Sequence, residues 1–126
     1  MNKYLDSLDH ITIITTNLEN TTNFYTNIFN MEIDKNRPPF NFEGAWLSLN
    51  KRAVIHIVVN NKHISNNTKP TLDHIAFKAK NINLIKKKLD KYHIKYTEKI
   101  TPDNKIQQLF IKDPNGIKLE LSKPIG

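Results

Sequence analysis

The segment Leu8-Asp-His-Ile-Thr-Ile-Ile returns 64 residues later as Leu72-Asp-His-Ile-Ala-Phe-Lys. A pattern repeated at a fixed offset describes one supersecondary unit written twice, and everything that follows must then fit both copies. The rest of the chain keeps the register. Asn17 is followed by Leu18, Phe24/Tyr25 and Ile28/Phe29 at helical spacing, and Asn81 by Ile82, Ile85, Leu89 and Tyr92. Each set makes one apolar stripe of an amphipathic helix, with an asparagine placed to cap its start. Three strand-like runs follow in each half: 31–35, 45–49 and 53–59, then 95–100, 106–112 and 117–122. Trp46 corresponds to Phe110. Asp113-Pro-Asn-Gly supplies the residues of a tight turn before the last strand, and Asn50-Lys-Arg is its counterpart. Each half therefore reads strand, helix, strand, strand, strand, which makes the chain an α+β protein. We place module one at 6–60, a polar linker at 61–71 and module two at 72–123, within a single domain spanning 1–126.

Strand alternation then sorts the side chains. Successive residues of a strand point to opposite faces, so Ile55, Ile57 and Val59 turn towards the helix while Val54, His56 and Val58 turn away from it. The same logic sends Glu120 away from Leu119 and Leu121, and under the repeat His56 and Glu120 occupy one structural position. His10 shares a face with Leu8 and Thr12, and His74 repeats that arrangement. Asp9 and Asp73 also match each other. As sequence neighbours of the histidines, they are expected on the opposite face.

A histidine or glutamate on a sheet face is costly to bury unless it is paired or bound to a metal. Any one of these histidines alone would be an ordinary core or surface residue. Four such residues at two matched positions are better explained as ligands. Three imidazoles and one carboxylate, without sulfur, suit a divalent ion such as Zn, Ni, Co, Mn or Fe(II). The expected metal ligands are thus His10, His56, His74 and Glu120.

Composition excludes several other roles. With 126 residues, 38% hydrophobic and 25% charged, the chain is one globular domain's worth. It holds no apolar run of the roughly 18 residues a membrane span needs. There is no cysteine for disulfides or thiolate sites, and the N-terminus has no secretory pattern, so a cytoplasmic location is expected. The net charge of +7 comes mostly from lysines scattered over turns and the second helix, with arginine only at 37 and 52. This reads as solvated surface and not as a nucleic-acid stripe, although it is compatible with an anionic small substrate. Glycine occurs only at 44, 116 and 126, so no phosphate-cradling loop is present.

The segments Leu8-Asp-His-Ile, Asn23-Phe-Tyr-Thr-Asn-Ile-Phe, Leu72-Asp-His-Ile-Ala-Phe and Asp113-Pro-Asn-Gly-Ile-Lys-Leu-Glu-Leu resemble the vicinal oxygen chelate superfamily, which holds glyoxalases, bleomycin resistance proteins and extradiol dioxygenases. The resemblance covers nearly the whole chain. It implies paired βαβββ modules forming an open, cup-shaped mixed sheet, with metal ligands from the first and last strands of each module, the positions of His10, His56, His74 and Glu120. It further implies a homodimer and a small-molecule substrate chelated through two adjacent oxygens. In the glyoxalase-like branch a carboxylate ligand doubles as the base, which singles out Glu120 as the catalytic residue. The first reading is therefore a metal-dependent lyase or isomerase of the glyoxalase type. Glyoxalase I-like proteins usually present a glutamate where this chain has His56. With that histidine the quartet also contains the two-histidine, one-carboxylate set of a thiol transferase acting in antibiotic resistance, or of a dioxygenase. A non-catalytic drug-binding protein is the third reading, and the intact ligand quartet speaks against it.

The segment from Arg37 to Trp46 reads in either of two ways. It is a loop over the cup, with Arg37 meeting an anionic group and Phe40, Phe42 and Trp46 lining it as substrate-binding residues, or a rigid turn with core aromatics. Tyr25 and Tyr96 are expected to pack, and His63, His93 and Lys86-Lys-Lys to face solvent.

Overall fold

The computed structural model describes residues 1–64 and 70–126, so the expected linker lies partly outside the described residues. The chain divides into two compact units, Met1–Thr26 with Asn30–His63 and Asn27–Phe29 with Ile64–Gly126. The first half runs β1 (Ile11–Thr15), α1 (Leu18–Phe29), β2 (Glu32–Ile33), β3 (Gly44–Leu49) and β4 (Arg52–Val59). The second half runs β5 (Ile75–Lys78), α2 (Ile82–Lys91), β6 (Thr97–Ile100), β7 (Ile106–Lys112) and β8 (Lys118–Pro124). These are two tandem βαβββ modules. Among the described residues no helix is long and apolar enough to cross a membrane.

The two sheets have the same topology, β1-β4-β3-β2 and β5-β8-β7-β6. In each, the first strand lies parallel to the last and the other neighbours are antiparallel. A parallel pair needs a long crossover, which the helix and the two intervening strands supply. The β3–β4 connection is a two-residue turn in which Asn50 and Lys51 both take positive φ, 52° and 68°. That is the conformation whose twist suits an antiparallel hairpin. Between β7 and β8, Gly116 takes φ 80° and Asp113 Oδ1 accepts from the backbone N–H groups of Asn115 and Ile117 at 2.9 Å.

Both helices begin on the expected asparagine. Asn17 accepts from Asn20 N–H and Asn81 from Leu84 N–H, at 3.0 and 3.1 Å, satisfying backbone donors that the first helical turn leaves free. In the first unit Ile13, Ala45, Leu47, Ile55 and Ile57 are buried on the sheet, and Phe24 and Tyr25 on α1. Polar groups within this layer are paired: Thr21 Oγ1 donates to Thr15 Oγ1 at 3.0 Å, and the same Thr15 oxygen accepts from Asn17 N–H at 3.0 Å. In the second unit Leu109, Ile111, Leu119 and Leu121 are buried on the sheet, with Ile82 and Leu89 on α2. Lys86 is half-buried and forms an ion pair with Glu98, so it is not simply a solvent-facing charge.

The register places the same three positions side by side in both sheets. Thr12 pairs with His56 and His56 with Trp46. Ala76 pairs with Glu120 and Glu120 with Phe110. His56 and Glu120 therefore sit on the central strand of their cross-strand rows, each facing away from a buried Ile55/Ile57 or Leu119/Leu121. The first-strand histidines stand just before β1 and β5.

Candidate metal centre

In the first unit three rings lie one upon another. His10 stacks on His56 with centroids 3.7 Å apart and planes within 13°, and His56 stacks on Trp46 at 3.9 Å and 11°. The row continues to Phe40, 6.3 Å from Trp46, and then to Phe42, 4.9 Å from Phe40. Burial pushes the His56 pKa below its usual value, and repulsion from a charged His10 pushes it further. Two imidazolium ions this close are unfavourable, so His56 is held neutral, the form in which an imidazole binds metal. A cleft of about 250 Å³ beside the stack is lined by Asp9, Trp46, Arg52, Ala53 and His56.

In the second unit His74 Nε2 lies 3.3 Å from Glu120 Oε1. The glutamate side chain is only 13% exposed, and its other oxygen, Oε2, accepts from Gln108 Nε2 at 3.4 Å. Phe110 meets the His74 ring edge-on at 6.4 Å, with Lys99 and Lys118 over the Phe110 face. The structure thus brings His10 to His56 and His74 to Glu120, one pair in each unit. Within each unit the described residues form no set of three or more metal-binding groups.

Asp9 and Asp73 do not lie opposite the histidines, as alternation had led us to expect. Asp9 Oδ2 is 2.6 Å from His10 Nδ1, and Asp73 Oδ2 is 2.7 Å from His74 Nδ1. The reason is local. These residues precede β1 and β5, so the two-residue period of a strand does not govern them. The hydrogen bond to His10 holds the Asp9 carboxyl below the usual carboxylate range. Asp73 is lowered in the same way by His74, with Lys118 adding a smaller contribution, its Nζ 3.5 Å away.

The donor set fits a divalent ion. Asp73 lies on Nδ1 of His74 and Glu120 on Nε2, and an imidazole nitrogen beside a carboxylate oxygen is a donor pair that suits such an ion. Two donor atoms bonded to one ion at about 2.0–2.2 Å stand about 2.8–3.6 Å apart for angles from a right angle to tetrahedral. The observed 3.3 Å lies in that range.

The loop residues divide differently. Arg37 donates from Nη2 to Phe42 O at 2.9 Å and lies over the Phe40 and Phe42 rings at 5.2 and 5.3 Å, so its guanidinium braces its own loop. Phe40 and Phe42 remain substantially exposed, so they are not core aromatics. Trp46 lies directly on His56. Sequence reading overlooked Arg52, which lines the cleft and donates to Leu8 O at 3.2 Å, and Gln108. Arg52 aligns with Gly116 in the repeat and Gln108 with Gly44, so neither had a matched mate. Alternation from Phe110 on β7 was the available signal for Gln108.

Comparison with known proteins gives the family and the fold. The family model of the Glyoxalase/Bleomycin resistance protein/Dioxygenase superfamily matches residues 7–121. Glyoxylase I 4 of Arabidopsis thaliana is 28% identical over 124 residues, covering 94% of this chain and 71% of that protein. Among solved structures, a glyoxalase family protein from Bacillus anthracis superposes with a TM-score of 0.79 at 22% identity, over 99% of this chain and 100% of the other. The fosfomycin resistance protein FosX of Listeria monocytogenes superposes with a TM-score of 0.74 at 20% identity, over 94% and 93%. At such identities the structural likeness speaks for the fold alone.

Proposed function

The chain belongs to the glyoxalase/bleomycin resistance protein/dioxygenase superfamily, and we propose that it is a metal-dependent lyase or isomerase of the glyoxalase type. In this reading His10, His56, His74 and Glu120 together would hold one divalent ion, Zn, Ni, Co, Mn or Fe(II), and the substrate would be a small molecule with two adjacent oxygens suited to chelation. The observation that carries the reading is the 3.3 Å approach of His74 Nε2 to Glu120 Oε1, with Asp73 on the far nitrogen of the ring. When bound, the ion supplies Lewis-acid stabilisation of negative charge developing on the substrate oxygens.

The chain's own residues do the rest. Glu120 takes a proton from the carbon next to the substrate carbonyl and returns it to the neighbouring carbon. Gln108 on Oε2 fixes the plane in which Oε1 is presented. Neutral His56 is a ligand that needs no deprotonation. Trp46, with Phe40 behind it, forms an apolar wall beside that ligand, and Arg52 brings a positive charge to the same cleft. In the same reading the protein works as a homodimer, as the short members of the superfamily suggest, and light scattering of the purified protein decides this.

A second reading, a metal-dependent thiol transferase or dioxygenase, draws on His56, because with it the quartet contains two histidines and a carboxylate. The test is elemental analysis of the purified protein followed by turnover assays with hemithioacetals, fosfomycin plus thiols, and catechols. Stoichiometric metal with turnover of a hemithioacetal supports the first reading, and turnover of either other class supports the second. A protein that retains no metal, with a ligand affinity indifferent to His74→Ala, is a binding protein and neither enzyme.

A further inference from the structure

We propose that Asp9 and Asp73 are positioning residues, each accepting the Nδ1 proton of the histidine that follows it and so presenting that ring's Nε2 as an unprotonated donor. Three observations carry this. The two contacts are short, 2.6 and 2.7 Å, and both run from Oδ2 to Nδ1. They occur at equivalent positions of the repeat, 64 residues apart, in two units that otherwise differ in what surrounds the histidine: stacked rings in the first and a carboxylate in the second. Both aspartates are also well exposed, with side chains 86% and 65% accessible. Exposed pairs of this kind add little to stability, so fold maintenance does not account for the same contact being made twice.

Their effect is on the ring. A free histidine carries its proton mostly on Nε2, which leaves the wrong nitrogen for a ligand reaching past Nδ1. The hydrogen bond made by one ring nitrogen sets the state of the other, and a carboxylate on the far nitrogen also fixes the ring's rotation and raises its donor strength. For His74 this leaves Nε2 and Glu120 Oε1 as two lone-pair donors facing one point. Lys118 Nζ, 3.5 Å from Asp73 Oδ2, helps to hold that side chain in place.

The consequence for metal affinity rests on the metal-dependent reading above, but the tautomer belongs to the metal-free protein, so the two can fail separately. The experiment compares wild type with Asp9→Ala, Asp73→Ala, Asp9→Asn and Asp73→Asn. Long-range proton–nitrogen NMR of the imidazoles in metal-free protein, above the imidazole titration range, reads the tautomers, with exposed His93 as internal reference. Titration with Co²⁺ reads the affinity. The wild type is expected to hold His10 and His74 as Nδ1–H, unlike His93. Each alanine variant should return its own histidine to Nε2–H and weaken cobalt binding about 10- to 100-fold. The asparagine variants, whose side-chain carbonyl still accepts, should keep the tautomer and lose less. Nε2–H at both histidines in the wild type, or alanine variants with wild-type tautomers and affinity, would overturn the proposal. A wild type that binds no cobalt would instead defeat the metal-dependent reading, and the tautomers would still decide this one.

Discussion

His74 Nε2 and Glu120 Oε1 face each other at 3.3 Å, the histidine just ahead of β5 and the glutamate in the middle of β8. β5 and β8 are adjacent parallel strands, and Ala76, two residues past the histidine, pairs with Glu120 itself. The approach is therefore built into the sheet register and does not depend on a flexible loop. Glu120→Gln keeps the volume and the Gln108 contact region while removing the negative charge and the base. We expect turnover to fall by about 10²- to 10⁴-fold, measured on samples of equal metal content. A loss below threefold at full occupancy would remove Glu120 from proton transfer.

Trp46→Ala takes away the ring on which His56 stacks and opens the wall of the cleft. Full burial of such a side chain is worth about 3–5 kcal/mol. Trp46 is half-buried, so we expect a loss of about 2 kcal/mol in urea unfolding, on the same scale. Because His56 would lose one neighbour and gain solvent, its pKa should rise towards the ordinary imidazole value, visible by NMR titration of the metal-free protein. An unchanged His56 titration would show that burial by the stack is not what depresses it.

A Cβ added to Gly44 would stand 2.1 Å from Ile57 O and 3.0 Å from Arg37 Nη2. The first obstacle is backbone of the neighbouring strand and cannot swing away. Gly44→Ala should therefore destabilise the protein by about 1–3 kcal/mol, the usual cost of overpacking, and loosen the Arg37 brace on its loop. A shift in urea midpoint too small to measure would mean that β3 and β4 separate at their ends without cost.

Asp34 accepts from Ser48 Oγ at 2.7 Å and from Asn36 N–H at 2.7 Å. The Ser48 hydrogen bond is the main cause of its lowered pKa. A carboxyl lowered on folding contributes stability that is complete above its unfolded pKa and disappears as pH falls through its folded one. Asp34→Asn should thus lower the melting temperature at neutral pH. The difference from wild type should shrink below about pH 4 and vanish once both forms are uncharged. A difference that stays constant down to acid would assign the effect to packing and not to charge.

Much of this was readable along the chain. The offset between Leu8-Asp-His-Ile and Leu72-Asp-His-Ile made two units of one pattern, and Asn17 and Asn81 marked both helix starts because a capping side chain acts on its own next turn. Alternation turned His56 and Glu120 away from Ile55 and Leu119, since within a strand the side-chain direction follows from position alone. Asp9 and Asp73 escaped that rule for want of a strand at their positions, and Gln108 and Arg52 escaped the repeat for want of a mate. What only the tertiary structure decided was distance between residues far apart in sequence: the stacking of His10, His56 and Trp46, the approach of His74 to Glu120, and the hold of Gln108 on the same carboxylate. Those depend on which strands become neighbours and in what register, and that is settled by packing of the whole sheet, which no local pattern of residues encodes.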